Sequence, residues 1–170
     1  MSVLEVTRTY LEMRRPSDLV AARSPNGAPR VEQVGSCPTA FFRYLYAEVG
    51  RVYRWTDRLV WTDHQVRAYL DAGDVALYVL YVEGAPAGYF ELRHHPDRSI
   101  EVAYFGLMRE YIGRGLGGWL LTQAVQTAWA EAPDRVWLHT CTLDHPNALP
   151  NYLRRGFQPV RREVYQVDTD

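Results

Sequence analysis

Residues Glu101–Ala130 read EVAYFGLMREYIGRGLGGWLLTQAVQTAWA, and the rest of the chain can be placed around this stretch. From Ser99 to Met108 the β-formers Ile100, Val102, Tyr104, Phe105 and Leu107 are interrupted by neither Pro nor Asn, which is a strand pattern. Leu116, Trp119, Leu120, Ala124 and Ala128 then recur near helical spacing, with Gln123, Gln126 and Glu131 between them. The pattern stops before Pro133, as an amphipathic helix does. Between strand and helix lie Gly113-Arg114-Gly115-Leu116-Gly117-Gly118. Missing Cβ atoms there let backbone N–H groups converge at the positive end of the helix dipole, an arrangement that holds phosphate.

Glycines at a strand-to-helix turn have other uses. Gly113, Gly115 and Gly118 also satisfy G-x-G-x-x-G, the dinucleotide-binding fingerprint. That fingerprint follows its strand at once, whereas Arg109-Glu110-Tyr111-Ile112 intervene here. It also needs an acid about 20 residues on, at the end of the next strand. Asp134 has the separation but precedes the strand Arg135–Thr142, and Asp144 lies too far along. A purely structural reading, in which the glycines only permit tight strand–helix packing, stands beside both.

The remaining segments are read from the N-terminus. Leu4–Met13 alternates as a half-buried strand, and Arg15–Pro38 is broken by Pro and Gly, with a brief pairing segment at Arg30–Val34. Thr39–Val49 is a helix with Thr39 at its N-cap and Gly50 closing it. Thr62-Asp63-His64-Gln65 has the capping-box form and opens a second helix through Ala72, ended by Gly73. Val75–Val82 and Ala87–His94 form an antiparallel hairpin across Glu83-Gly84-Ala85-Pro86, and His95-Pro96-Asp97-Arg98 turns into the strand from Ser99. Three meander strands thus precede the glycine turn, unlike the alternating βα units of a dinucleotide fold. Val136–Cys141 is a strand parallel to Ser99–Met108 because a helix joins them. A short helix starting near Pro150 and a last strand, Gln158–Val167, complete the chain.

Composition bounds the function classes. The 170 residues, 47% hydrophobic, suit a single domain over 1–170, and a net charge of −1 argues against bulk nucleic-acid binding. No run approaches 18 apolar residues and the N-terminus carries no apolar leader, so neither a membrane span nor export is expected and the location reads as cytoplasmic. Cys37 and Cys141 form no ligand cluster, so no metal site is expected. Every basic residue is arginine.

With both glycine turn and meander in place, the chain resembles the Gcn5-related N-acetyltransferases, whose pyrophosphate motif is R/Q-x-x-G-x-G/A. Gly115-Leu116-Gly117 supply its glycines, while Ile112 stands where the family prefers Arg or Gln. A second pattern, N-A-x-x-x-Y-x-x-x-G-F, is matched by Asn147, Ala148, Tyr152, Gly156 and Phe157. The two extend the resemblance from Val75 to the end; before Val75 only the element order agrees.

The resemblance implies a mixed α+β fold: a twisted, mostly antiparallel sheet of six to seven strands with about four helices on its faces, the fourth and fifth strands parallel. It implies acetyl-CoA as acyl donor, a primary amine of a small molecule or peptide as acceptor, and a monomer or homodimer; Cys141 could suggest an acyl-cysteine route, but no motif places an acidic or amide partner for it, so direct transfer in a ternary complex is preferred. Gly113, Arg114, Gly115, Leu116, Gly117 and Gly118 would cradle the pyrophosphate, and Asn147 would hold the cofactor arm or a backbone carbonyl. The backbone of Gly106, Leu107 and Met108, where the family strand bulges and splays, would face the thioester carbonyl, with Gly106 tolerating the distortion. Glu101 is the candidate general base, with His139 as substitute, and Tyr152 stands at the position of the acid that meets the departing thiolate.

The aromatic stretch before Val75 has two readings. Trp55 and Trp61 could simply pack the first two helices on the sheet. Alternatively, Tyr46, Trp55, Asp57 and Trp61 wall an acceptor pocket, where aromatic faces and a carboxylate favour a cationic amine. A non-catalytic acyl-CoA-binding module and a dinucleotide-binding protein remain the alternatives to an enzyme.

Overall fold

A computed structural model describes residues 2–169. Seven strands form one sheet: β1 (Val3–Met13), β2 (Arg30–Gln33), β3 (Val75–Val82), β4 (Ala85–His94), β5 (Ser99–Leu107), β6 (Arg135–Cys141) and β7 (Gln158–Asp168), in the order β2-β3-β4-β5-β6-β1-β7. Every pairing is antiparallel except β5 with β6. These were expected as the fourth and fifth strands; the short β2 forms a true edge, so they count as fifth and sixth. The β3–β4 hairpin closes through Glu83 and Gly84, both at positive φ (51° and 87°), as a two-residue turn requires.

Four helices cover the sheet: α1 (Thr39–Tyr53), α2 (Asp63–Leu70), α3 (Leu116–Trp129) and α4 (Ala148–Arg154). Alternation along the strands assigns them to opposite faces. Leu80, Phe90, Leu92, Val102 and Leu138 meet Leu120, Ala124, Tyr152 and Phe157 of the α3–α4 side. Leu77, Val79 and Tyr89 meet Phe42, Leu45, Val49 and Val66 of the α1–α2 side.

The second helix forms as its sequence dictates: Thr62 Oγ1 accepts from the Gln65 N–H (3.2 Å) and Gln65 Oε1 from the Thr62 N–H (2.8 Å), although the helix ends at Leu70. The first does not stop at Gly50. It continues to Tyr53 and ends at Arg54, in the left-handed conformation (φ 56°), and Pro38 rather than Thr39 is its N-cap. Gly50 is needed for contact, since a Cβ there would lie 2.8 Å from Trp55 Cβ. The overrun delivers Tyr53 to the sheet.

The expected distortion of the strand before the glycine turn lies elsewhere than at Gly106. Glu91 pairs with Tyr104 and Leu92 with Val102, so Ala103 is the extra residue of a bulge, while Gly106 and Leu107 stay in register with Tyr89 and Gly88. The bulge resets the alternation: Val102 and Phe105 both pack toward α3, leaving Glu101 and Tyr104 to share the α1 face. Gly106 serves a close approach instead, because a Cβ would lie 2.4 Å from the Tyr53 ring and 2.6 Å from Val49.

Candidate active site

The pairing of β5 with β6 covers only Ser99–Arg135, Ile100–Val136 and Glu101–Trp137. Beyond these positions the strands part, and the gap joins the two faces of the sheet. On the α3–α4 side a cavity of about 300 Å³ is lined by Leu107, Ile112, Gly113, Gly115, Gly117, Gly118, Asn147 and Asn151. On the α1–α2 side a cavity of about 800 Å³ is lined by Tyr46, Trp55, Asp57, Trp61, Glu101, Tyr104, His139 and Cys141. Tyr53, Phe105, Ala148 and Tyr152 line both.

The smaller cavity ends on the α3 N-terminus. Gly115 is its N-cap at φ 75°, preceded by Gly113 at 84°, and no side chain caps the helix. The first N–H groups of α3 therefore lack side-chain acceptors among the described residues, the condition that suits an anion. A Cβ at Gly113 would meet nothing within 4 Å, so its surface is open, and one at Gly117 would touch Asn151 and Leu107 only at 3.8 Å. Asn151 Nδ2 donates to the Gly117 carbonyl at 3.3 Å and ties α4 to the turn. These glycines, Leu107 and Asn147, all expected at the cofactor site, line one cavity. Leu116, the first residue of α3, buries its side chain in the core and leaves its backbone to the turn, whereas Arg114 lies over the Tyr111 ring at 5.0 Å, Gly106 abuts Tyr53 and Val49, and Met108 packs on the α1 side with its N–H bonded to Ala87 O at 2.8 Å. The Leu107 N–H faces the gap and is held by the Tyr53 hydroxyl at 3.3 Å, a long bond.

Glu101 faces the larger cavity between two histidines. His95 Nε2 lies 2.8 Å from Glu101 Oε2, and His139 Nε2 lies 3.9 Å from Oε1. Burial lowers the His139 pKa more than the neighbouring Glu101 charge raises it, so its imidazole is neutral at neutral pH and able to accept a proton. Tyr152 is buried between Phe105 and Phe157, with ring centroids 6.2 Å from each, and its hydroxyl has no protein hydrogen bond among the described residues. Burial, then the charges of Asp144 and Tyr53, raises its pKa well above that of an ordinary phenol.

The expected amine-binding residues are brought together, but their aromatic faces are partly occupied. The Arg58 guanidinium, almost fully buried, sits 3.8 Å from the Tyr104 ring centroid, 4.3 Å from Tyr69, 5.0 Å from Trp61 and 5.7 Å from Tyr46. Its Nη1 donates to both oxygens of the fully buried Glu91 at 2.8 and 2.9 Å, and the Tyr69 hydroxyl donates to the same carboxylate. The chain's own arginine therefore fills the cation site that Tyr46 and Trp61 suggested. The walls not taken by Arg58 are Trp55, Asp57 and the Glu101–His139 pair. Residue-level reading missed Tyr53, His95, Tyr104, Asn151 and the Arg58–Glu91 pair. Only Asn151 had a usable signal, its place inside the C-terminal motif.

The model of the acetyltransferase (GNAT) family matches residues 43–157, and the chain belongs to that family. No curated protein sequence matches it. Among solved structures of the same fold, a GCN5-related N-acetyltransferase from Kribbella flavida is 21% identical with a TM-score of 0.65, over 96% of this chain and 58% of the other. One from Sphaerobacter thermophilus is 17% identical with a TM-score of 0.65, over 98% of this chain and 52% of the other. A tandem GNAT protein from the clavulanic acid biosynthesis pathway is 18% identical with a TM-score of 0.65, over 100% and 56%. This chain spans little more than half the length of each.

Proposed function

We propose that the chain transfers the acetyl group of acetyl-CoA to a primary amine by direct attack in a ternary complex. The observation that carries this reading is the meeting of the two cavities at Tyr53, Phe105, Ala148 and Tyr152, one cavity ending on an uncapped helix N-terminus and the other on a carboxylate. Acetyl-CoA would supply the activated acyl group and a thiolate leaving group. Gly113, Gly115 and Gly117 would take its pyrophosphate on the α3 N–H groups, and the parted edges of β5 and β6 would flank its arm.

The chain's residues then divide the proton work. An alkylammonium of pKa about 10.4 must lose a proton before its nitrogen attacks. Glu101, oriented by His95, accepts that proton directly or through water, with neutral His139 beside it. As the N–C bond forms and the C–S bond breaks, the Leu107 N–H takes the carbonyl oxygen, displacing the Tyr53 hydroxyl. A phenol with a raised pKa is a weaker acid than a thiol of about 8.5. Tyr152 therefore acts by donating a hydrogen bond to the departing thiolate; the second proton, which the nitrogen loses as the amide forms, converts that thiolate to the thiol, and the first leaves Glu101 for solvent.

Initial-rate measurements of thiol release test the proposal. The expected result is release that requires an amine and gives intersecting reciprocal plots. Parallel plots would put the acyl group on Cys141, which also lines the larger cavity, and no release with any amine would leave a non-catalytic binding module.

A further inference from the structure

Four arginines and four carboxylates line the larger cavity: Arg8, Arg54, Arg58 and Arg93 against Asp57, Glu101, Asp144 and Asp168. A cavity built for a polycation would present carboxylates alone. Several of these charges already have partners, while Arg54, exposed at the rim, Asp57 and Asp168 have no ion pair among the described residues. Arg58 is bound to Glu91, Arg93 lies 3.5 Å from Asp74, and Asp144 accepts from the Thr140 hydroxyl and the Cys141 N–H. Arg8 is different. Its nearest carboxylate, Glu163, is already engaged by Arg161 at 2.9 Å and by the Tyr10 hydroxyl at 3.2 Å, and stands 3.9 Å from Arg8 Nη1. Arg8 Nε is buried with no acceptor among the described residues, and its guanidinium rests 5.0 Å from the Tyr165 ring centroid.

Arg8 also shares a wall with the candidate base. It is the cross-strand neighbour of Cys141, as Tyr10 is of His139, whose rings lie 5.5 Å apart, so Arg8, His139 and Cys141 project to one face. Glu101 is level with Trp137. Trp137 and Cys141 are four residues apart on β6, about 13 Å at 3.3 Å per residue. That span holds the two side chains with a small molecule between them.

We propose that the acceptor is an amine that also bears a carboxylate, its nitrogen directed to Glu101 and its carboxylate held by the fork of Arg8; this rests on the transferase reading. A guanidinium matches a carboxylate in a bidentate pair, and the Tyr165 ring supports that of Arg8 from one side.

The experiment compares kcat/KM for matched acceptors, an amino acid against its decarboxylated amine, its methyl ester and its phosphonate analogue, in the natural chain and in Arg8→Gln. The expected result is at least a tenfold preference for the free carboxylate over amine and ester, carried by KM, which falls toward unity in Arg8→Gln. Equal use of the decarboxylated amine, or a preference that persists in Arg8→Gln, would overturn the proposal, and a preference for the phosphonate would overturn the choice of carboxylate. An acetyl-CoA-dependent rise in melting temperature in Arg8→Gln certifies its fold. If the natural chain binds acetyl-CoA yet acetylates no carboxylate-bearing amine, this proposal fails; if it does not bind acetyl-CoA, the transferase reading fails with it.

Discussion

Tyr152→Phe is expected to lower kcat roughly 10- to 100-fold while leaving acetyl-CoA affinity within about threefold. A hydrogen bond to a charged group is worth about 1.5–3 kcal/mol, and each 1.36 kcal/mol is tenfold in rate. The interaction exists only once negative charge develops on sulfur, so its loss falls on kcat rather than on binding. Phe keeps the ring packing against Phe105 and Phe157, and the missing hydroxyl strands no described partner, so the fold should be intact. Single-turnover acetyl transfer together with equilibrium acetyl-CoA binding checks this. Equal losses in both would reduce Tyr152 to a packing residue.

Glu91→Gln is expected to destabilise the protein by roughly 3–5 kcal/mol, because it leaves the Arg58 guanidinium buried without its counter-charge. At roughly 2–4 °C per kcal/mol for a domain of this size, the melting temperature should fall by about 6–20 °C. The aromatic rings around Arg58 soften the loss but do not replace a carboxylate. The double variant Glu91→Leu with Arg58→Met should recover much of it, since the pair's contribution beyond an apolar substitute is small. A drop of less than about 1 kcal/mol in Glu91→Gln would mean that the pair is solvated. Thermal melts of the single and double variants decide.

How much of this was legible in the sequence depended on whether the signal was local. The β3–β4 hairpin, the capping box at Thr62–Gln65 and the glycine turn are each written within a few residues and each forms, although the hairpin turn is only Glu83-Gly84, with Ala85 and Pro86, expected in the turn, already paired on β4. The parallel β5–β6 pair followed from the helix between them. The aromatic stretch was not legible, because the charge that organises it, Glu91, lies 33 residues beyond Arg58. Trp61 and Tyr46 looked like an amine site because the sequence does not say that Arg58 folds in among them. The bulge at Ala103 carries neither Gly nor Pro to mark it, whereas the resemblance puts the distortion around Gly106, Leu107 and Met108, and Gly106 instead admits the close approach of Tyr53 and Val49. Gly50 misled in the same way: read as a helix stop, it admits the Trp55 ring, and with the stop misplaced Tyr53 went unnoticed.

The most direct test of the central claim, that the glycine turn and the gap between β5 and β6 hold an acyl-CoA, is the melting temperature in acetyl-CoA, coenzyme A, NAD and ATP. A ligand at about 100 times its Kd adds roughly 2.7 kcal/mol to stability, a rise of roughly 5–11 °C at the same 2–4 °C per kcal/mol. The account predicts stabilisation by acetyl-CoA and coenzyme A and none by NAD or ATP. Stabilisation by NAD or ATP with no response to acetyl-CoA would contradict it and return the turn at Gly113–Gly118 to the nucleotide-binding reading.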